Sequence, residues 1–247
     1  MCLPISQPVD GCPEALVLAQ PVGVERLPGF AQGDVSVQDL AAQRAAALLL
    51  GPGLPAGARV LDACSAPGGK TAHLLELAEL DLLALDTDAG RLQRVDETLR
   101  RLGLSARTQA ADARQVGAWW DGRPFDAILL DAPCSASGIV RRHPDIRWLR
   151  RPEDIGALAR IQAELLDALW PTLAPGGRLV YATCSVFKAE GAAQIDAFLQ
   201  RQGLDRTALG QDSPGHLLPL ADNQGAAPVV AQADGFYYAV LTKPPAP

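Results

Sequence analysis

Two cysteines of this chain lie where a thiol could attack a bound substrate. Cys134 follows the apolar run from Phe125 to Asp131, and Cys184 closes another apolar run that begins at Arg178. A thiol attacks as its thiolate, which a helix N-terminus or a nearby cation stabilises. Taken singly, each cysteine is better explained as a small buried hydrophobic side chain, as most free cysteines are. Because both follow predicted strands, the pair favours covalent chemistry.

A loop of small residues has the composition of a nucleotide-binding turn. The apolar pair Val60-Leu61 leads into Asp62, and the loop Cys64-Ser-Ala-Pro-Gly-Gly-Lys70 runs into a predicted helix. Small residues let a ligand approach backbone N–H groups, and the helix points its positive end at the same place. Lys70 is also a candidate for the cation that lowers the pKa of a cysteine. We expect this loop at the carboxyl edge of a parallel sheet, where open α/β folds bind ligands.

Two nucleotide chemistries compete for this loop. Gly69-Lys70-Thr71 matches the end of a phosphate-binding P-loop, and Asp131 could be the metal-holding acid of an ATPase. A P-loop needs a glycine five residues before Gly69, however, and Cys64 is found there. Asp86, at the end of the predicted strand 81–86, suits the hydroxyls of a ribose. These features favour an adenosyl cofactor without phosphates, S-adenosylmethionine, over ATP.

The composition indicates one globular α/β protein. The 247 residues are 48% hydrophobic, and the formal net charge of −6 argues against nonspecific binding to nucleic acid. No apolar run could cross a membrane and the first residues lack a signal-peptide pattern, so we expect a cytoplasmic protein, and a monomer. The five cysteines predict neither a disulfide framework nor a metal site, because their number is odd and their spacing is wide. They are Cys2, Cys12, Cys64, Cys134 and Cys184.

From Arg59 onward, predicted strands alternate with predicted helices, which is typical of a mostly parallel sheet with helices on both faces. Ser36 and Asp39 are expected to cap a helix that runs through Leu50 and packs on the following domain. We therefore divide the chain into a short N-terminal subdomain, residues 1–50, and a catalytic domain, residues 51–247. Strands are predicted at about 59–63, 81–86, 107–111, 125–131, 178–184 and 235–242, and helices at about 69–79, 88–102, 189–202 and from 152 onward.

Three motifs together resemble those of the Sun/Nop-type RNA cytosine-5 methyltransferases. They are Cys64-Ser-Ala-Pro-Gly-Gly-Lys-Thr71, Asp131-Ala-Pro-Cys-Ser135 and Ala182-Thr-Cys-Ser185, in the order of that family. The segments 139–148 and 27–33 look like those of its bacterial members that act on small-subunit ribosomal RNA. The resemblance implies a Rossmann-like S-adenosylmethionine-dependent methyltransferase fold, with RNA, above all small-subunit ribosomal RNA, as substrate.

The resemblance also implies a role for each motif residue, although from the residues alone either cysteine could be the nucleophile. Cys184 corresponds to the cysteine that attacks, and Cys134 to the cysteine that helps to release the product. Asp86 corresponds to the residue that binds the ribose, Asp112 to the residue at the adenine, and Asp131 to the residue between cofactor and target base. The loop residues that correspond to the S-adenosylmethionine site are Cys64, Ser65, Ala66, Pro67, Gly68, Gly69 and Lys70, with Ser65 where alanine is common.

A basic stretch follows the Cys134 motif. The segment from Arg141 to Arg151 contains five arginines. An isolated charge run is usually a solvated surface, but beside an RNA active site we expect backbone contacts and stacking by Trp148. The resembling bacterial enzymes also carry an N-terminal RNA-binding domain that is missing from this sequence. A catalytically weak RNA-binding or ribosome-assembly module is therefore the alternative function, and a P-loop-like ATPase is a less favoured one.

Overall fold

The fold was analysed on a computed structural model, which describes residues 7–9, 12–18, 20–218 and 233–245; Cys2 lies outside these ranges. The strands are β1 (Gln7–Val9), β2 (Cys12–Val17), β3 (Ala58–Asp62), β4 (Leu80–Asp86), β5 (Arg107–Ala110), β6 (Phe125–Asp131), β7 (Leu173–Thr183), β8 (Gly215–Leu217) and β9 (Phe236–Thr242). The α-helices are α1 (Leu40–Leu50), α2 (Gly69–Leu77), α3 (Ala89–Arg101), α4 (Ile146–Leu149), α5 (Pro152–Leu169) and α6 (Ala192–Gln202).

Seven strands form one sheet in the order β5-β4-β3-β6-β7-β9-β8, and β1 pairs with β2 in a separate antiparallel ribbon. The strands from β3 to β7 pair in parallel, whereas β9 runs antiparallel to both β7 and β8. The continuous apolar run of β6 lies in the middle of this order, and Ile128, Leu129 and Leu130 are fully buried. The predicted mostly parallel sheet, with this run at its centre, is confirmed.

Helices cover both faces of the sheet. Successive residues of β6 point to opposite faces, because side chains alternate along a strand. Ile128 packs in a core with Leu166 of α5 and Phe198 of α6. Leu129 packs in a second core with Leu49 of α1 and residues of α2 and α3. The layered α/β architecture is therefore the one that the alternating pattern predicts.

Helix α1 is part of one of these layers. It begins at Leu40, because the carboxylate of Asp39 accepts a hydrogen bond from the N–H of Ala41 at 2.9 Å. The prediction that Ser36 shares in this cap was wrong. The Tyr238 hydroxyl donates to the carbonyl of Ala41 at 2.8 Å, which fastens α1 to β9. The division into residues 1–50 and 51–247 stays a prediction.

Three elements differ from their prediction. β7 begins at Leu173 rather than at Arg178, and its Pro175-Gly176-Gly177 segment lies inside the strand where the register with β6 shifts. The short helix α4 and the three-residue strand β8 were not predicted. Both are too short to show a hydrophobic period. No helix in the described ranges is long and apolar enough to span a membrane.

Candidate active site

The parallel strands bring the predicted site residues to one edge of the sheet. Asp62 ends β3, Asp86 ends β4 and Asp131 ends β6, so their carboxylates follow neighbouring strands on the same side. In the β6–β7 register Asp131 lies opposite Ala182, and Cys134 and Cys184 follow within three residues. The edge therefore unites the glycine loop, the acids and both cysteines.

The two thiols are in contact. The Sγ atoms of Cys134 and Cys184 lie 3.4 Å apart, within hydrogen-bond distance for sulfur. The hydrogen bond from Cys134 lowers the pKa of Cys184, and the charge of Lys70 acts in the same direction against burial and against Asp131. The same contact, together with burial, raises the pKa of Cys134. This asymmetry favours the thiolate on Cys184.

Lys70 is held beside the thiols by an ion pair. Its Nζ atom donates to Asp131 Oδ2 at 2.7 Å. Burial alone lowers the pKa of Lys70, but the charge of Asp131 and this hydrogen bond outweigh it and leave the pKa raised. Lys70 therefore stays protonated, and its charge faces the strand ends.

The glycine loop has a conformation that requires its small residues. Gly68 has a φ of +99°, and a Cβ there would lie 3.0 Å from the Cα atom of Val95. Both observations exclude a side chain at this position. The N–H of Ser65 donates to the carbonyl of Leu85 at 2.8 Å, which joins the loop to β4. Helix α2 then begins at Gly69, so its N-terminus lies at the loop.

The other two predicted acids lie at the carboxyl ends of the adjacent strands β4 and β5. Asp86 accepts hydrogen bonds from the N–H groups of Ala66 at 3.2 Å and Asp88 at 3.1 Å, so its carboxylate also shapes the loop. Asp112 follows β5 and forms an ion pair with Arg114 at 2.7 Å. The hydrogen bond from Arg114 lowers the pKa of Asp112, which therefore remains a carboxylate at neutral pH.

These residues fit S-adenosylmethionine better than a nucleoside triphosphate. Acidic side chains at the ends of three strands would repel phosphates but suit a ligand with a sulfonium and an ammonium group. Lys70, which a P-loop would aim at phosphates, is instead paired with Asp131. In the described part of the chain, the buried Asp62 Oδ1 and Ser65 Oγ atoms find no hydrogen-bond partner. Such unpartnered polar atoms fit a polar ligand that would satisfy them.

A close backbone contact anchors the loop of Cys184. The N–H of Gly138 donates to the carbonyl of Cys184 at 2.9 Å, and the N–H of Gly235 donates to the carbonyl of Gly138 at 2.9 Å. A Cβ at Gly138 would overlap the carbonyl oxygen of Gly235. The segment that precedes β9 is therefore tied to the candidate nucleophile.

Three of the five arginines in the basic stretch bind other segments of the protein through their side chains. Arg141 forms ion pairs with Asp234 at 3.3 Å and with Asp39 at 3.7 Å. Arg142 forms an ion pair with Asp234, whose side chain is 0% exposed. Arg150 donates from Nε to the carbonyl of Ser135 at 2.9 Å. These contacts hold part of the stretch against the protein, and its contact with RNA stays a prediction. Arg147 and Arg151 are exposed, and 81% of Trp148 is accessible to solvent.

Sequence reasoning missed Glu190. Its buried carboxylate accepts hydrogen bonds from Ser135 and Ser185, the residues that directly follow the two cysteines. Glu190 lies 55 residues from Ser135 in the chain, and a glutamate near the start of a predicted helix is ordinarily solvated. The one feature of the sequence that could have drawn attention to Glu190 is that it lies close to the Cys184 motif.

The fold and the edge together define an S-adenosylmethionine-dependent methyltransferase of the Rossmann-like class. The structure of a methyltransferase homolog protein from Pyrococcus horikoshii superimposes with a TM-score of 0.77 at 27% identity, covering 96% of this chain and 78% of that one. The structure of NSun6 from Pyrococcus horikoshii superimposes with a TM-score of 0.69 at 26% identity, covering 93% of this chain and 59% of that one. The predicted fold class and S-adenosylmethionine as cofactor are confirmed.

Sequence comparison narrows this class to one family. The family model described as 16S rRNA methyltransferase RsmB/F matches residues 49–242. Ribosomal RNA small subunit methyltransferase B of Vibrio cholerae is 50% identical over 240 residues, which cover 97% of this chain and 53% of that protein. The protein of the same name from Pseudomonas syringae is 54% identical over 241 residues, which cover 93% of this chain and 52% of that protein. The chain belongs to the RsmB/F family, as the three motifs predicted, and spans about half the length of these relatives.

Proposed function

We propose that this protein transfers a methyl group from S-adenosylmethionine to C5 of a cytosine in RNA, with 16S ribosomal RNA as the substrate. The observation that carries this proposal is the contact between the Cys134 and Cys184 thiols, 3.4 Å apart beside the Lys70–Asp131 ion pair. Membership of the RsmB/F family supports the substrate class. With such a substrate, the protein would act in the cytoplasm.

The chemistry requires a thiolate because C5 of cytosine is a poor nucleophile. The Cys184 thiolate adds to C6, and the electron pair of the C5–C6 bond then makes C5 behave like an enamine. S-adenosylmethionine would supply an electrophilic methyl group for C5, with its sulfur leaving as the neutral thioether of S-adenosylhomocysteine. A base then removes the C5 proton, the C5–C6 double bond forms again, and Cys184 leaves as the thiolate. The lowered pKa of Cys184 suits both the attack and the departure.

Asp131 is suited to select cytosine over uracil. One of its oxygens is held by Lys70, which fixes the carboxylate at the end of β6. A carboxylate accepts a hydrogen bond from the exocyclic amino group of cytosine but can only repel the O4 carbonyl of uracil. Cys134, next to Cys184, is placed to help the adduct break down. A base in structured RNA must be unstacked to reach these groups.

The glycine loop and two acids would hold the cofactor. The backbone of the loop from Cys64 to Lys70 accepts the close approach of a ligand, and the N-terminus of α2 adds unpaired N–H groups. Asp86 would accept hydrogen bonds from the ribose hydroxyls, and Asp112 would lie at the adenine. Arg147, Arg151 and Trp148 would contact the RNA, through phosphates and by stacking.

Methyl transfer to small-subunit ribosomal RNA tests the proposal. The protein is incubated with 16S ribosomal RNA and S-adenosylmethionine carrying a labelled methyl group, and the modified nucleoside is identified by mass spectrometry. We expect labelled 5-methylcytosine, and none with Cys184→Ala. A methylated base other than cytosine, or RNA binding without any transfer, would reject the proposed reaction. The second result would favour an RNA-binding or assembly role.

A further inference from the structure

Glu190 holds a fully buried carboxylate that four hydrogen-bond donors surround. Its Oε1 atom accepts from the N–H of Ser135 at 2.8 Å and from Gln162 Nε2 at 3.1 Å. Its Oε2 atom accepts from the hydroxyl of Ser135 at 2.5 Å and from that of Ser185 at 2.6 Å. A buried charge is stable only when such bonds replace its water. These bonds therefore fix the position of the carboxylate, and the carboxylate fixes the positions of Ser135, Gln162 and Ser185 in turn.

The donors belong to the two loops that carry the cysteines. Ser135 directly follows Cys134 at the end of β6, and Ser185 directly follows Cys184 at the end of β7. One carboxylate oxygen, Oε2 of Glu190, bonds to both hydroxyls. It thereby links two segments that are 50 residues apart in the chain.

The main chain of Glu190 is fixed as well. Its carbonyl accepts hydrogen bonds from the Tyr181 hydroxyl at 2.9 Å and from the Thr183 hydroxyl at 3.2 Å, both on β7. The amide of Gln162, on α5, also donates to the carbonyl of Pro133 at 2.9 Å, next to Cys134. Glu190 is thus attached to the rigid sheet on one side and to both loops on the other.

A carboxylate is the group that this arrangement requires. All four contacts are donors, and a carboxylate accepts at both oxygens whereas a glutamine side chain must present an NH₂ group at one of them. The Ser185 hydroxyl accepts from the N–H of Phe187 at 3.1 Å, so its own proton is free to point at Glu190. Glutamine would reverse or remove at least one of these bonds.

We propose that Glu190 is a positioning residue, which sets the separation and the orientation of the Cys134 and Cys184 thiols through Ser135 and Ser185. The proposal rests on the proposed function, in which Cys184 attacks the base and Cys134 assists release. A misplacement of about 1 Å at a reacting group can cost about 100-fold in rate. Loss of the carboxylate should therefore act on the chemical steps rather than on binding of S-adenosylmethionine.

Single-turnover trapping tests the role of Glu190 by measuring how fast Cys184 attacks the RNA. The probe is 16S ribosomal RNA transcribed with 5-fluorocytosine, whose C5 fluorine cannot be removed as a proton, so the methylated adduct with Cys184 persists. We expect Glu190→Gln to slow adduct formation by about 10- to 100-fold, with the Kd for S-adenosylmethionine within about twofold of native. Ser185→Ala should slow the same step. Ser135→Ala should mainly slow turnover on ordinary RNA, since its loop carries Cys134.

Alkylation by iodoacetamide gives a readout that needs no RNA. The native protein should be modified at Cys184 in preference to Cys134, and Glu190→Gln should lose most of that preference. Phe198→Leu is the control, because Phe198 is fully buried in α6 and its ring packs edge-on against Trp170. Each variant is assayed at a temperature equally far below its own Tm. Under these conditions Phe198→Leu should keep both the preferential alkylation of Cys184 and the native rate of adduct formation.

The outcomes separate the two proposals. A native protein that forms no adduct rejects the proposed function, and the alkylation pattern then still decides whether Glu190 orders the thiols. Native-like adduct formation and alkylation in Glu190→Gln overturns the positioning role. The positioning role is also overturned if Phe198→Leu reduces the adduct rate and the alkylation preference as much as Glu190→Gln does. The loss would then follow from lower stability alone. Should Glu190→Gln fail to fold, the two serine variants carry the test, and native-like rates in both overturn the proposal.

Discussion

The sulfur atoms of Cys134 and Cys184 lie 3.4 Å apart, although 50 residues separate them in the chain. At this distance the two thiols share a hydrogen bond, so the ionisation of each depends on the other. The shared hydrogen bond lowers the pKa of Cys184 and raises that of Cys134. This difference predicts opposite defects when each cysteine is replaced.

Cys184→Ala should bind S-adenosylmethionine and RNA but form no covalent bond to RNA, because no thiolate remains to attack C6. Cys134→Ala should attack and methylate but release slowly, so that RNA stays attached through Cys184 after denaturation. Denaturing gel mobility after incubation with RNA and cofactor measures both defects. An adduct that accumulates only in Cys184→Ala would reverse the two roles. Normal turnover of both variants without an adduct would rule out the covalent mechanism.

Asp86→Ala should weaken binding of S-adenosylmethionine, because the ribose hydroxyls would lose a charged acceptor. Loss of such a bond costs about 1.5–3 kcal/mol, or about 10- to 100-fold in Kd. Calorimetric titration measures the change. Asp81→Ala is the matched control, since Asp81 lies near the opposite end of β4 and pairs with Arg59 and Arg107. Equal affinities for Asp86→Ala and native protein would remove Asp86 from the cofactor site.

Arg147→Ala and Arg151→Ala together should weaken RNA binding and flatten its dependence on salt. Each lost phosphate contact lowers the slope of log affinity against log salt by about 0.7–0.9. Filter binding across a salt series measures the slope, and the Kd for S-adenosylmethionine should not change. An unaltered slope would mean that these arginines are only solvated.

Arg142→Ala should instead lower the Tm. Its partner Asp234 is fully buried, so removal of Arg142 takes away the shorter of the two ion pairs of a buried carboxylate and leaves only the one with Arg141. Thermal denaturation measures the effect, with Arg151→Ala as the exposed control. A Tm equal to that of the control would show that the ion pair adds nothing to stability.

Asp62→Asn should change how stability depends on pH. Burial raises the pKa of Asp62 from 3.8 to about 7. A raised pKa contributes stability that is fully present below about pH 4 and is lost as the pH rises through about 7. The variant should therefore melt higher than native protein at pH 8, and this advantage should shrink towards pH 5. A shift of about three pKa units corresponds to about 4 kcal/mol at most. Identical melting curves at pH 8 would contradict the burial of the charged form.

The strands and the edge were predictable because each depends on a local pattern. The apolar run of β6 could be recognised by itself, and the chemistry-bearing residues follow strand ends directly. Parallel pairing then brings those ends together without further information. Asp131 and Lys70 were both predicted at the edge, although their ion pair was not.

Contacts between distant segments could not be predicted in the same way. The bonds from Glu190 to Ser135 and from Arg142 to Asp234 join residues 55 and 92 positions apart. Each depends on how two loops pack once the sheet has formed, and no periodicity in the sequence encodes that packing. A basic run also looks the same whether its side chains face RNA or a buried carboxylate, which is why the ion pair between Arg142 and Asp234 was not predicted.

The bonds that join Gly235 to Gly138, and Gly138 to the carbonyl of Cys184, have a consequence for protein synthesis. A ribosome makes Cys184 well before it makes Gly235, and domains fold as their segments emerge. The nascent chain therefore carries both cysteines and Gly138 before Gly235, which holds Gly138 in place, exists. We expect the loop of Cys184 to reach its final anchored arrangement only when β9 has inserted beside β7.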